Sequence, residues 1–121
     1  MRQSIAEVVP YITKDGSEIR ELMHPGEHGN ARQSLAEARV SPGCRTFLHR
    51  HLLIEEIYHI TAGKGLMVLG SQQFMVQPGD TICIPPGEAH CIEALGDELL
   101  TLLCCYSPAY DHADTELLEG L

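Results

Sequence analysis

Clusters of glycine, proline and aspartate interrupt this chain so often that no apolar run between them could make a helix of ordinary length. The interruptions read KDGS (14–17), HPGEHGN (24–30), SPG (41–43), TAGKG (61–65), GSQQ (70–73), QPGD (77–80), PPGEAH (85–90) and LGDE (95–98). Such residues favour turns because they supply positive φ, fixed φ or local side-chain hydrogen bonds. Between them lie short stretches rich in Val, Ile, Leu and Thr, among them LMVL, FMV, TICI and LLTLLCCY. Short strands with a turn signal every ~8–12 residues predict an all-β sandwich or barrel. Residues 1–18 are expected to form a leading strand or arm. The tail SPAYDHADTELLEGL is expected to hold one helical turn starting near Asp114, a residue type that caps helix N-termini. No repeat or linker divides the chain, so all 121 residues are expected in one domain.

Charge and cysteine usage exclude several function classes. Eight basic residues against 17 acidic ones give a formal net charge of −9. That balance repels phosphate backbones, so no nucleic-acid partner is expected. No apolar run approaches the ~18 residues of a membrane span, and the N-terminus carries no apolar signal core. No membrane partner is therefore expected, and a cytoplasmic location is. The five cysteines are odd in number and form no C-x-x-C, which reads as free, largely buried thiols in a reducing compartment.

The stretch CRTFLHRHLLIEEIYHITAGKG places His49 and His51 one residue apart, with Glu55 and Glu56 close behind. If RTFLHRH is a strand, alternation puts Phe47, His49 and His51 on one face and Leu48, Arg50 and Leu52 on the other. In EIYHI, Glu56, Tyr58 and Ile60 share a face, with Ile57 and His59 opposite. A hairpin of the two strands would aim His49, His51 and Glu56 at one point. Imidazole nitrogen and carboxylate oxygen both bind divalent first-row metals at ~2.0–2.2 Å. A metal would offset the desolvation cost of burying the carboxylate. H-x-H alone also fits two surface histidines on an edge strand. His24, His28, His59 and His112 are expected to be solvated.

The wider spacing resembles a known family. Gly43, five residues, His49, one residue, His51, four residues, Glu56, six residues, Gly63 is similar to the first motif of the cupin superfamily. Gly79, five residues, Pro85, one residue, Gly87, two residues, His90 is similar to the second, and fifteen residues separate the two. The resemblance covers residues 43–94 (motif 1 over 43–63, motif 2 over 79–94) and implies a double-stranded β-helix, or jelly-roll, barrel of six to eight strands. It further implies one divalent metal ion inside the barrel on His49, His51, Glu56 and His90. Mixed nitrogen and oxygen donors fit Mn, Fe, Ni, Zn or Cu. The second motif usually closes with Asn where this chain has Ala94, so a polar contact is absent. Gly63 and Gly79 suit hairpin turns, and Pro85-Pro86-Gly87 suits a rigid turn that presents His90.

A cupin can be an isomerase, a dioxygenase, a decarboxylase or a binding module, because fold does not dictate function. The expectation here is a Lewis-acid enzyme of isomerase or tautomerase type acting on a small sugar-derived or oxo-acid substrate. The alternatives are an Fe(II)-dependent dioxygenase and a non-catalytic module that binds metal and a small ligand. Glu56 and Tyr58, on the inward face, are the candidate catalytic groups. Arg39 and Arg45, on strands leading to the site, are candidates for binding a substrate carboxylate or phosphate. The apolar arm SIAEVVPYI is suited to add as an edge strand to a second copy, so a homodimer is expected.

Overall fold

The structure is a computed structural model that describes residues 1–119. Its strands are β1 (Tyr11–Ile12), β2 (Glu18–Met23), β3 (Ser34–Val40), β4 (His49–His51), β5 (Glu55–Ala62), β6 (Lys64–Leu69), β7 (Gln72–Val76), β8 (Thr81–Ile84), β9 (His90–Leu95), β10 (Leu100–Ser107) and β11 (Thr115–Leu117). Among the described residues the helical content is one short helix, α1 (Pro25–His28), and two 3₁₀ turns at Ile5–Glu7 and His112–Asp114. The chain is all-β. One sheet orders its strands β1-β2-β3-β10-β5-β8 and the other β11-β4-β9-β6-β7. Every pairing is antiparallel. The two sheets face each other as a jelly-roll barrel.

Alternation sets the interior. In β3 the buried positions are Ser34, Ala36, Ala38 and Val40; in β10 they are Leu100, Leu102, Cys104 and Tyr106. Ile60, Met67, Ile84, Ile92, Leu100 and Leu102 are fully buried between the sheets. Burying each such side chain contributes about 1.5–3 kcal/mol. Toward the β4 end this apolar filling gives way to histidines and a glutamate.

Four local expectations need correction. First, β4 and β5 are not a hairpin: β4 lies in one sheet and β5 in the other, so the chain crosses the barrel between His51 and Glu55. Second, Gly63 and Gly79 do not turn hairpins. Each carries the chain from one sheet to the other, Gly63 between β5 and β6 and Gly79 between β7 and β8. Gly63 has φ +80°, and a Cβ there would lie 2.5 Å from the Leu99 carbonyl oxygen. Third, residues 46–48 are not strand, and alternation fails there: Thr46 is 3% exposed and Phe47 40%. The Phe47 N–H donates to the Asp15 carbonyl, and the Thr46 hydroxyl accepts from the Ile92 N–H, so the contacts of this segment are divided between the β1–β2 turn and β9. Fourth, the tail turn is a 3₁₀ turn capped by Asp111, not by Asp114. Asp111 accepts from the Ala113 N–H, while the Asp114 carboxylate accepts from the N–H groups of Leu53 and Ile54.

The two corner glycines separate two effects. Gly63→Ala meets both a left-handed backbone and a backbone clash, and should cost about 3 kcal/mol. Gly79→Ala, at φ +96° with nothing within 4 Å, should cost about 1 kcal/mol. Urea unfolding of the two variants checks the ranking; equal losses would show that the Gly63 corner is not sterically constrained.

Candidate metal centre

Three imidazoles converge inside the barrel. His49 and His51 come from β4, and His90 opens β9 directly across from His49 in the ladder. The Pro85–Glu88 turn delivers His90: Gly87 takes φ +82°, its N–H donates to the His51 carbonyl, and the Glu88 N–H donates back to Pro85. One nitrogen from each of the three rings lies within 4.8 Å of the others, and all three residues are buried. Glu56, from β5 of the opposite sheet, is 1% exposed, whereas Glu55 is exposed. Glu56 Oε1 stands 3.2 Å from His51 Nε2 and 3.4 Å from His90 Nε2.

The far side of each ring fixes its tautomer. His49 Nδ1 lies 2.7 Å from the Phe47 carbonyl oxygen, and His90 Nδ1 lies 3.0 Å from the Glu88 carbonyl oxygen. A carbonyl only accepts, so each Nδ1 carries the proton and donates. His51 Nδ1 lies 3.0 Å from Thr115 Oγ1, whose own proton goes to the Asp111 carbonyl, so this nitrogen donates as well. Every Nε2 of the neutral rings therefore turns a lone pair inward, toward carboxylate oxygen. Glu56 Oε1 and His90 Nε2 are buried with no hydrogen-bond partner. Leaving such atoms unpaired in a dry interior costs about 1–3 kcal/mol each. A proton or a cation must sit among them, and backbone or hydroxyl acceptors behind each imidazole are the usual second layer of a metal site. The residues present fit a divalent ion.

The ionisation balance points the same way. Burial would raise the Glu56 carboxyl, yet the facing His51 and His90 bring it down to about 2. Burial would lower His90, and Glu56 outweighs it, so His90 is raised. Burial and the neighbouring His90 lower His49. Glu56 thus holds His90 toward its charged form.

A narrow cleft leads to His49 and His51 past Asp15, Glu21, Tyr106 and Tyr110. Tyr58 is buried against His90, ring centroids 6.0 Å apart, and lines an inner compartment with Thr46 and Cys104. The two arginines are elsewhere, which corrects their expected role. Arg39 holds Glu37 at 2.6 Å on the outer face, because β3 turns its small residues inward. Arg45 is held by Glu119 at 2.6 Å and by the Cys91 sulfur at 3.3 Å, outside the pocket. His24 and His28 are not free in solvent either. His24 donates from Nε2 to the Tyr110 carbonyl and accepts from the Gly26 N–H, and His28 Nδ1 accepts from the His24 N–H, so both build the α1 loop. His59 and His112 are exposed.

Sequence reasoning missed the pocket groups. Tyr106 follows Leu102 and Cys104 on the inward parity of β10, and Glu21 shares inward parity with Ile19 on β2; alternation could have found both. Asp15 carried no signal, since an Asp-Gly pair reads as a turn.

Metal occupancy tests the set. His49→Ala, His51→Ala or His90→Ala should each strip most bound metal, and Glu56→Gln should weaken binding about tenfold or more. Glu55→Gln should leave it unchanged; elemental analysis of protein purified without a chelating column reads the result. Binding must expel the proton from His90, so affinity should fall as pH drops through the raised His90 range, and metal uptake should release a proton. Calorimetry in buffers of different ionisation enthalpy measures that release, and metal uptake without any would contradict the assignment.

A model of the cupin domain matches residues 36–106 of the chain. An uncharacterized protein of Methanocaldococcus jannaschii is 54% identical over 113 residues, covering 93% of this chain and 90% of the relative. The crystal structure of a predicted oxalate decarboxylase from Thermotoga maritima superposes with a TM-score of 0.78 at 25% identity, covering 89% of this chain and 99% of that one. The polyketide cyclase RemF from Streptomyces resistomycificus superposes with a TM-score of 0.83 at 24% identity, over 100% of this chain and 87% of that one. Family model, relatives and fold agree with the two motifs around the histidine cluster, and the chain belongs to the cupin family.

Proposed function

We propose that this cupin is a metal-dependent enzyme of isomerase or tautomerase type acting on a small, uncharged, oxygen-rich substrate. His49, His51, Glu56 and His90 would hold the ion, which would supply Lewis-acid polarisation of a carbonyl or adjacent hydroxyl. The observation that carries the reading is the lining of the pocket above them. It offers carboxylates and hydroxyls and, among the described residues, no lysine or arginine. A substrate carboxylate or phosphate would find no lysine or arginine there to neutralise it. This favours the sugar-like, hydroxy-carbonyl end of the expected substrate range over oxo-acids. The likeness to a predicted oxalate decarboxylase supports metal chemistry in this fold. It supports a dianionic substrate less, for want of a cationic side chain in the pocket lining.

Proton handling falls to Glu21 in this reading. Burial raises its carboxyl to about 7, so it exchanges a proton near neutral pH, where a general base is most effective. Tyr106 is raised well above its usual range, first by burial, so its phenol stays protonated and serves as a hydrogen-bond donor. Tyr58 is likewise raised by burial and stays protonated in the inner compartment, where it packs the metal site from behind. Cys104, lining that compartment, is a poor neighbour for oxygen activation because thiols oxidise.

Turnover against keto-sugars, uronates and small oxo-acids tests the proposal, with apo-protein reloaded anaerobically with Zn(II), Mn(II) or Fe(II). Uncharged hydroxy-carbonyl compounds should react best and without oxygen. Glu21→Gln should lower kcat by about 10²–10⁴-fold. It should also abolish a rise in rate through pH ~7, since a carboxyl raised to about 7 becomes a base only above that pH. Activity found only with Fe(II) and stoichiometric O2 uptake would replace this reading with the dioxygenase one. We also propose a homodimer through the arm, where Val9 and Ile12 are exposed at the β1 edge of the sheet; a monomer mass by light scattering at micromolar concentration would overturn it.

A further inference from the structure

We propose that Asp15 is a fifth protein ligand to the metal, a second carboxylate brought to the ion by the turn between β1 and β2. The proposal rests on the metal centre described above and adds a residue outside both motifs. Asp15 is 9% exposed and borders both the outer pocket and the inner compartment. Its two oxygens are in different states. Oδ1 accepts from the Ser17 N–H at 2.9 Å and from the Ser17 hydroxyl at 2.6 Å. Oδ2 is left over and lies 3.6 Å from His49 Nε2. The Asp15 carbonyl also accepts from the Phe47 N–H at 2.8 Å, which laces the turn to the segment entering β4. The side chain is held in place.

What it faces is the key point. His49 gives its ring proton to the Phe47 carbonyl, so the Nε2 opposite Asp15 Oδ2 presents a lone pair. Two electron-rich atoms therefore face each other across 3.6 Å, just as Glu56 Oε1 faces His51 and His90 across 3.2 and 3.4 Å. Glu56 meets its rings deep in the interior, its side chain 1% exposed, and Asp15 meets His49 at the pocket wall, its side chain 12% exposed. A cation held where the three ring nitrogens gather, and reached by the two carboxylates from either side, would relieve both pairs. The locked Oδ1 repeats the pattern of a ligating carboxylate steadied by hydrogen bonds behind it. Two carboxylates and three neutral imidazoles carry a charge of −2, which a divalent ion cancels. Five protein donors suit a metal that accepts six, and disfavour tetrahedral zinc.

The experiment is a Co(II) titration of chelator-stripped full chain, followed by visible absorption, for the wild type, Asp15→Asn and Glu56→Gln. Asn keeps an oxygen that can accept from Ser17, so the turn is preserved while the charged Oδ2 is lost. Asp15→Asn should bind Co(II) at least about tenfold more weakly. Its d–d bands should move and strengthen as the coordination number falls. Unchanged affinity would overturn the proposal, assigning Asp15 to an ion pair with a protonated His49. Weaker binding with unmoved bands would also overturn it, placing the carboxylate outside the coordination sphere. If Asp15→Asn does not fold, Asp15→Cys is read instead. A thiolate-to-cobalt charge-transfer band in the near ultraviolet supports ligation from this position, and its absence in a folded, cobalt-loaded variant counts against it. A wild type that takes up no Co(II) would overturn the metal centre itself, whereas a loaded wild type matched by Asp15→Asn overturns only the fifth ligand.

Discussion

Lone pairs converging without a proton to share are the constraint on which this barrel turns. His49, His51 and His90 each spend their ring proton on an acceptor behind them, and Glu56 arrives from the opposite sheet with no donor of its own. In water such a group of atoms would hydrate. In a barrel interior it needs positive charge, and Glu56 accordingly draws His90 toward its charged form. The jelly roll fits this need because its two sheets bring donors from opposite walls to one point, while the Ile and Leu side chains deeper in the barrel keep water away. The apolar core and the polar site are two ends of one interior, built by the same alternation of side chains.

How much of this the sequence disclosed depended on whether the signal was local. The barrel class was readable because turn residues act over three or four positions and strands over five or six. The separation of Glu56 from Glu55 was readable because a strand has period two. The crossing between β4 and β5 was not. A hairpin and a sheet-to-sheet crossing have nearly the same local sequence, and only long-range pairing distinguishes them. Arg39 misled because charge says nothing about which face of β3 is inward; Ser34, Ala36 and Ala38 decided that by being small. Asp15 was hidden for a further reason. Its role depends on Phe47 and His49, more than thirty positions away, and the glycine beside it made a turn the sufficient explanation.

The pocket's polarity also comes from residues outside the motifs. Glu21 and Asp15 flank the way in, and the tyrosines offer hydroxyls that burial keeps protonated. Family membership therefore constrains the floor of the pocket, and the β1–β2 region and β10 set its walls. Relatives could keep the floor and exchange the walls, which is one physical route by which a single fold serves many chemistries.

Thr115 gives the site a history as well as a shape. It stands beside His51 in the β11–β4 ladder and supplies the acceptor that orients that ring. The site thus draws on Asp15, near the start of the chain, and on Thr115, a hundred residues later. A ribosome that has made both motifs has not yet made the part that aims His51. The His51 ring is therefore aimed only in a barrel where β11 has closed against β4, after both motifs in the chain.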